Sequence, residues 1–293
     1  MAIEIVERMS APGDGVNEDR AGAAHFTSGA STAWVIDGAT GLADREGVAA
    51  GPTDAAWLAE RLSALLAEND PGAGPGADDA RAYFARLLAR LAADYQAAVP
   101  GWRDLPAWAL PSAAATWLRV RGGTLDLAWQ GDCVALVETP DGVVIAGADE
   151  ARAWEDDINA AVRARLAALA TAPSSVMAEM LDELRRRRAR LNQPDGYWMI
   201  GVDPRAAAHM DVRSVALGAP TRVLLVSDGL WRLVDHFHVY DAPGLLAAAF
   251  EVGLARLLER LRALEADDPD CRRVPRVKPG DDATGLTLIA TPD

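Results

Sequence analysis

The sequence predicts an α+β fold, and three observations lead there. Four short strand candidates follow one another between residues 116 and 146, separated by Gly-Gly and Asp-Gly turns, the pattern of an antiparallel meander. Two stretches with apolar residues at three- and four-residue spacing, 55–68 and 80–97, read as helices that pack on a sheet. Two apolar, β-branched runs, Ala33-Trp-Val-Ile-Asp-Gly38 and Arg222-Val-Leu-Leu-Val-Ser-Asp-Gly229, stop abruptly at Asp-Gly, so each carries a carboxylate from a buried strand to a sheet rim.

Composition bounds the rest. A chain of 293 residues buries roughly 75% of its unfolded surface if it forms one unit, so a large core is available. Half of its residues are hydrophobic, yet no apolar stretch approaches the ~20 residues of a membrane span. The N-terminus lacks a basic-then-apolar signal pattern, so a soluble, cytoplasmic protein is expected. A formal net charge of −14 argues against nucleic acid or an anionic membrane as partner, since both need a basic footprint. Cys133 and Cys271 form no C-x-x-C pair, so neither a disulfide framework nor a zinc site is indicated. Of the 29 basic residues only Lys278 is a lysine, so no single arginine can be read as a choice over lysine.

In chain order, residues 3–8 alternate as a first strand, Ala11-Pro-Gly-Asp-Gly-Val16 is a loop, and Asn17-Glu18-Asp19 precedes another short strand. After Asp37, Gly38-Ala-Thr-Gly41 turns away, and Thr53-Asp54 caps a helix whose buried face is Trp57, Leu58, Leu62, Leu65 and Leu66. Pro71-Gly-Ala-Gly-Pro-Gly76 links it to a second helix, buried through Tyr83, Leu87, Leu91 and Tyr95. Residues 106–111 form a Pro- and Trp-bearing loop, followed by strands at 116–121, 124–130, 134–137 and 143–146, with Gly131-Asp132-Cys133 placing a further acid at a tight turn. Residues 156–170 and 174–191 read as helices, and Asn192-Gln-Pro-Asp-Gly196 breaks the pattern before Tyr197-Trp198-Met199. Strands at 211–217 and 222–227, a helix over 243–264, and a last strand at 286–290 behind Gly280-Asp281-Asp282 complete the chain. No internal repeat or domain-length linker appears, so one domain over 1–293 is expected.

Asp-Gly pairs such as Asp141-Gly142 and Asp195-Gly196 are ordinary turn formers, and Asp132 alone would be one too. Asp37 and Asp228 differ in the β runs that precede them. Acids at the rims of four strands suggest hard cations held by oxygen.

Taken together, Asn17-Glu18-Asp19, Val35-Ile36-Asp37-Gly38, Gly131-Asp132-Cys133, Val226-Ser227-Asp228-Gly229 and Asp281-Asp282-Ala283-Thr284 resemble the ordered motifs of the metal-dependent protein phosphatase 2C family, bacterial type. The resemblance spans residues 17 to 284 and implies a four-layer α-β-β-α sandwich, two antiparallel sheets face to face with helix pairs outside, in keeping with the strands and helices above. It implies that Asp37 bridges two Mg²⁺ or Mn²⁺ ions, with the Gly38 carbonyl on one and Asp228 and Asp281 on the other. Glu18 and Asp19 would hold metal-bound waters, and Asp132 a third, weaker ion. Crowded carboxylates resist ionisation unless cations neutralise them, and paired divalent ions lower the pKa of a shared water. The implied reaction is attack of that hydroxide on a phosphoserine, a phosphothreonine or a related small phosphate ester, with no covalent intermediate.

The chain also departs from the family. Members acting on phosphoproteins carry an arginine four residues before the Glu of the first motif, where this chain has Asp14; Arg20 and Arg45 are the candidates to replace it as phosphate ligand. Where some members place a proton-donating His after the second motif, this chain has Ala39. These losses leave open an alternative, a weakly active or non-catalytic binding module on the same fold. Residues 150–210 would form a helical insertion placed like the family's flap. Arg185 to Arg188, at about 100° each, spread around its helix as a solvated face, or hold an anionic substrate with Tyr197 or Trp198 as a wall.

Overall fold

The structure is a computed structural model that describes residues 2–43, 49–73, 79–147, 149–169 and 175–292, side chains of 149–156 excepted. In chain order it has β1 (Ile3–Ala11), β2 (Arg20–His25), β3 (Ser31–Gly38), α1 (Asp54–Glu68), α2 (Ala80–Ala98), β4 (Ser112–Arg121), β5 (Thr124–Gln130), β6 (Val134–Thr139), β7 (Gly142–Ala146), α3 (Asp149–Ala168) and α4 (Val176–Arg188). There follow β8 (Ile200–Gly201), β9 (Asp211–Ala216), β10 (Thr221–Val226), α5 (Asp228–Asp235), α6 (Ala242–Glu251), α7 (Leu254–Ala266) and β11 (Ala283–Ala290). The linker expected at 71–76 lies partly outside the described residues.

Strand alternation sorts the apolar side chains into layers. In β3, Ala33 and Val35 face one way and Trp34 and Ile36 the other; in β10, Val223 and Leu225 are separated from Leu224 and Val226 in the same manner. Two antiparallel sheets result, ordered β1-β11-β10-β6-β7 and β2-β3-β4-β5-β9, with β8 on the start of β4. Their inner faces share one core of Val35, Leu118, Leu127, Val137, Leu225 and Leu288. Outside the second sheet lie α1 and α2, whose Leu58, Leu62, Tyr83 and Phe84 pack on Trp34 and Trp117. Outside the first lie α5, α6 and α7, through Leu230, Leu245, Leu257 and Leu261. The four layers match the expected sandwich.

Thr53 caps α1 as its sequence suggests, its Oγ1 accepting from the Ala56 N–H at 3.0 Å. Two expectations need correction. The four strands of 116–146 are not one meander: β4 and β5 belong to one sheet and β6 and β7 to the other, so the Gly131-Asp132-Cys133 turn carries the chain between sheets. The helix expected over 243–264 is two helices. Gly253, at φ 86°, ends the first and starts the second, and Glu7 accepts from the Leu254 N–H at 2.8 Å. Both cysteines are buried and free, and among the described residues no helix is long and apolar enough to cross a membrane.

Candidate active site

The acids meet where strand ends of both sheets approach each other. Asp37 lies two residues beyond Val35 and so inherits its direction, toward the space between the sheets, but at the rim, where the apolar core stops. Asp132 sits on the turn between sheets, Asp228 opens α5 directly after β10, and Asp281 stands two residues before β11. All four line one cavity of about 200 Å³, together with Gly38, Thr40, Arg188, Arg232, His236, Arg276 and Lys278. One wall comes from α3 and α4 through Ile158, Asn159, Met177, Leu184 and Arg188. A second groove, about 510 Å³, shares Thr40, Met177, Val277, Lys278 and Asp281 with the cavity and runs out past Asp14.

Both strand-end Asp-Gly pairs are glycine pairs for a packing reason. At Gly38 a Cβ would lie 2.8 Å from the Glu18 carbonyl oxygen, and at Gly229 it would collide with the Asp282 carbonyl. The loops that bear Glu18, Asp19 and Asp282 can therefore press against the loops that bear Asp37 and Asp228. Asp282 ties this seam, accepting from the Gly13 N–H at 2.8 Å and the Glu18 N–H at 2.6 Å.

Electrostatics at the seam are those of crowded acids. Burial, with Asp19, Asp228 and Asp132 around it, pushes the Asp37 carboxyl well above the usual range, and its side chain hydrogen-bonds to that of Asp228. Burial first, and Asp281 next, raise Asp228. Burial and the neighbouring Asp228 push Asp132 up to about 7. Asp19 reaches about 8, mainly through burial, although Ser227 donates to its Oδ2 at 2.7 Å. Glu18 is raised by burial against the donations of Thr53 at 2.5 Å and Thr40 at 2.7 Å. Asp281 is the exception. Its burial is outweighed by Lys278, which donates to Oδ1, and by Arg232, whose Nη2 lies 2.7 Å from Oδ2, so its pKa falls below the ordinary value.

The structure thus brings Asp37, Gly38, Asp132, Asp228 and Asp281 to one cavity, puts Asp19 beside Asp37 and Asp228, and puts Glu18 on the adjoining groove. Arg20 needs correction as a phosphate ligand. Its guanidinium is spent on Glu60 at 2.5 Å and on the carbonyls of Asn17 and Asp19, and it does not line the cavity. Arg45 lies outside the described residues.

Other cations take the cavity. Arg188, the last residue of α4, reaches it with a single hydrogen bond, to the Thr40 carbonyl at 2.6 Å, and no carboxylate among the described residues pairs with it. Its enclosure draws its pKa down to about 10 against the pull of Glu18. Lys278 donates to Thr40 Oγ1 at 3.1 Å as well as to Asp281. Despite burial, Asp281 holds its pKa above the ordinary lysine value. The sequence carried a signal for Lys278, the one lysine of the chain and three residues before Asp281. It carried none that separates Arg188 from its three neighbours. His236, also at the cavity, pairs through Nδ1 with Asp235 at 2.8 Å.

Among the described residues no three His, Cys, Asp or Glu side chains are already grouped as metal ligands. The donor chemistry still suits a hard divalent cation at Asp37, Asp228 and the Gly38 carbonyl. The oxygens are crowded, and Asp19 Oδ1 is buried with no hydrogen-bond partner among the described residues. At Asp281 the fit is poor, because both carboxylate oxygens are engaged by cations of the chain.

No protein-family model matches the chain, and no curated protein sequence matches it. Solved structures do. The serine/threonine phosphatase of S. agalactiae is 14% identical with a TM-score of 0.53, over 98% of both chains. The Mycobacterium tuberculosis serine/threonine phosphatase PstP/Ppp is 17% identical, TM-score 0.53, again over 98% of both chains. The catalytic domain of the serine threonine protein phosphatase PstP in complex with two manganese ions is 18% identical, TM-score 0.51, with the same coverage.

Proposed function

We propose, from the fold it shares with these bacterial serine/threonine phosphatases, that the protein is a divalent-metal-dependent phosphomonoesterase acting on phosphoserine or phosphothreonine in proteins, or on a related phosphate ester. The observation that carries the reading is the meeting of Asp37, Asp132, Asp228 and Asp281, from four separate strand ends, on one cavity with basic side chains opposite. Asp37 and Asp228, with the Gly38 carbonyl, would hold Mg²⁺ or Mn²⁺. Such an ion supplies Lewis acidity toward water and toward phosphoryl oxygens. Asp19 orients the rim through its bond to Ser227. Arg188 stands where a phosphoryl group entering the cavity would meet it, and its guanidinium can donate two charge-assisted hydrogen bonds to phosphate. It therefore takes the role that the sequence left vacant at Asp14. The groove past Asp14 has room for residues that flank a phosphorylated side chain.

The test is hydrolysis of an aryl phosphate and of a phosphothreonine peptide by the purified protein with Mn²⁺ or Mg²⁺. Turnover that disappears with chelator is expected, and no turnover with either substrate and either metal would overturn the assignment. Arg188→Ala should raise KM about tenfold, the equivalent of ~1.4 kcal/mol, with less change in kcat. An unchanged KM removes Arg188 from the substrate site.

A further inference from the structure

Two cations of the chain itself occupy Asp281. Lys278 Nζ donates to its Oδ1 and Arg232 Nη2 to its Oδ2 at 2.7 Å, and the Asp281 side chain is 13% exposed. By the family resemblance Asp281 would share a second divalent ion with Asp228, yet the cation found there is an ammonium group. We propose that Lys278 supplies the positive charge of that second position in cis, so that the site takes one divalent ion, at Asp37, instead of two. The proposal rests on the metal-dependent reading above.

Three observations converge on it. Lys278 is the one lysine in a chain with 29 basic residues, so the general preference for arginine is broken at the one place where a compact charge is needed. An ammonium group concentrates its charge on one atom with three donors, whereas a guanidinium spreads it over a planar fork, so only lysine approximates a small ion among oxygens. The contacts of Nζ fit that role: Asp281 Oδ1 and Thr40 Oγ1, the latter two residues beyond Gly38, with Glu18 and Asp228 close enough to feel its charge. Finally, cations of the chain already answer part of the cavity's acid charge. Asp37, Asp132, Asp228 and Asp281 face Arg188, Arg232, Arg276 and Lys278, and Asp268 claims Arg276. One divalent ion offsets part of what remains with Asp19 and Glu18 nearby, Glu265 sharing the charge of Arg232. A second, at Asp281, would meet the Lys278 ammonium at contact range and be repelled.

The experiment measures stoichiometry, not activity. Protein stripped with chelator is titrated with Mn²⁺ by calorimetry, and the loaded protein is examined by electron paramagnetic resonance. One Mn²⁺ per chain with the spectrum of an isolated ion is expected for the wild type. Lys278→Met, which keeps the aliphatic stem and removes the charge, should bind two ions and give the spectrum of a coupled pair. Two ions in the wild type would overturn the proposal while leaving the phosphatase reading intact. One ion in both proteins would show that Lys278 is not what excludes the second, and would also overturn it. No binding in either would end both readings together. If Lys278→Met does not fold, as judged by circular dichroism, Lys278→Gln replaces it, and the wild-type stoichiometry alone remains decisive against the proposal if it is two.

Discussion

Ser227 Oγ lies 2.7 Å from Asp19 Oδ2, joining residues 208 apart in sequence, and the same oxygen accepts from the Thr284 N–H at 3.0 Å. One hydroxyl thereby ties the start of β2 to the end of β10 and the start of β11, the three strand ends behind the cavity. All three residues are buried. Ser227→Ala would leave the Thr284 N–H and a second oxygen of Asp19 unsatisfied, at a cost of about 1–3 kcal/mol. Urea denaturation of the metal-free protein should show it as a lower midpoint, and an unchanged midpoint would mean that the rim does not depend on this hydroxyl.

Asp37→Asn and Asp228→Asn should each abolish metal-dependent hydrolysis and calorimetric Mn²⁺ binding, because each removes a ligand charge. The stability effect runs the other way. Burial already disfavours these carboxylates as anions, so in chelator both variants should melt at or above the wild-type temperature. A variant with wild-type turnover, or one that melts far below wild type in chelator, contradicts the assignment.

Removal of the metal should lower the melting temperature of the wild type, and added Mn²⁺ should restore it. An ion that binds only the folded state contributes about 2.7 kcal/mol at a hundred times its Kd, and it relieves the repulsion among Asp19, Asp37, Asp132 and Asp228. Identical melting curves in chelator and in Mn²⁺ would argue against any cation at this rim.

Acid stability should report on Asp268. Its carboxylate accepts from the N–H groups of Arg272, Arg273 and Val274 at 3.0 to 3.2 Å and from Arg276 Nη1 at 2.8 Å. Burial would raise its pKa, but the bonds from Val274, Arg273 and Arg276 together bring it below the ordinary value of 3.8. A depressed carboxylate stabilises the fold above its unfolded pKa and loses that contribution as pH falls through the folded one. Asp268→Ala leaves Arg276 buried without its partner, which costs about 3–5 kcal/mol near neutrality. The gap from wild type should close as pH drops below about 4. A gap that is constant from pH 7 to pH 3 would show that the ion pair is not its source. The loop that Asp268 holds also carries Lys278, so the same variant should weaken the cavity wall.

Much of the architecture was legible because it is written in short-range periodicity. The bounds of β5, Thr124–Gln130, follow from alternation and its flanking glycines, and α1 begins where Thr53 offers a cap. Asp37 and Asp228 could be singled out because a β-branched run ending in Asp-Gly has one mechanical meaning, an acid at a strand end. Gly253 was harder. The apolar spacing continues on both sides of it, and a single positive φ is enough to break the helix in two.

What the local sequence determined is which residues lie on strands and helices, and that several strands end in acids, since alternation, capping and turn chemistry act over a few residues. What tertiary structure decided is partnership. Alternation cannot say that β6 leaves the sheet of β5, because the same pattern satisfies either sheet until the other strands arrive. Nor can it say where a long cationic side chain ends. Arg20, beside the first acids in sequence, is captured by Glu60, while Arg188, more than 150 residues from Asp37 in sequence, reaches the cavity because α4 forms part of its wall. Lys278 meets Asp281 because the loop pinned by Asp268 and Arg276 turns it inward. Charge acts through space, so the acids of this site could be read from the chain, but the cations that answer them were settled only by the fold.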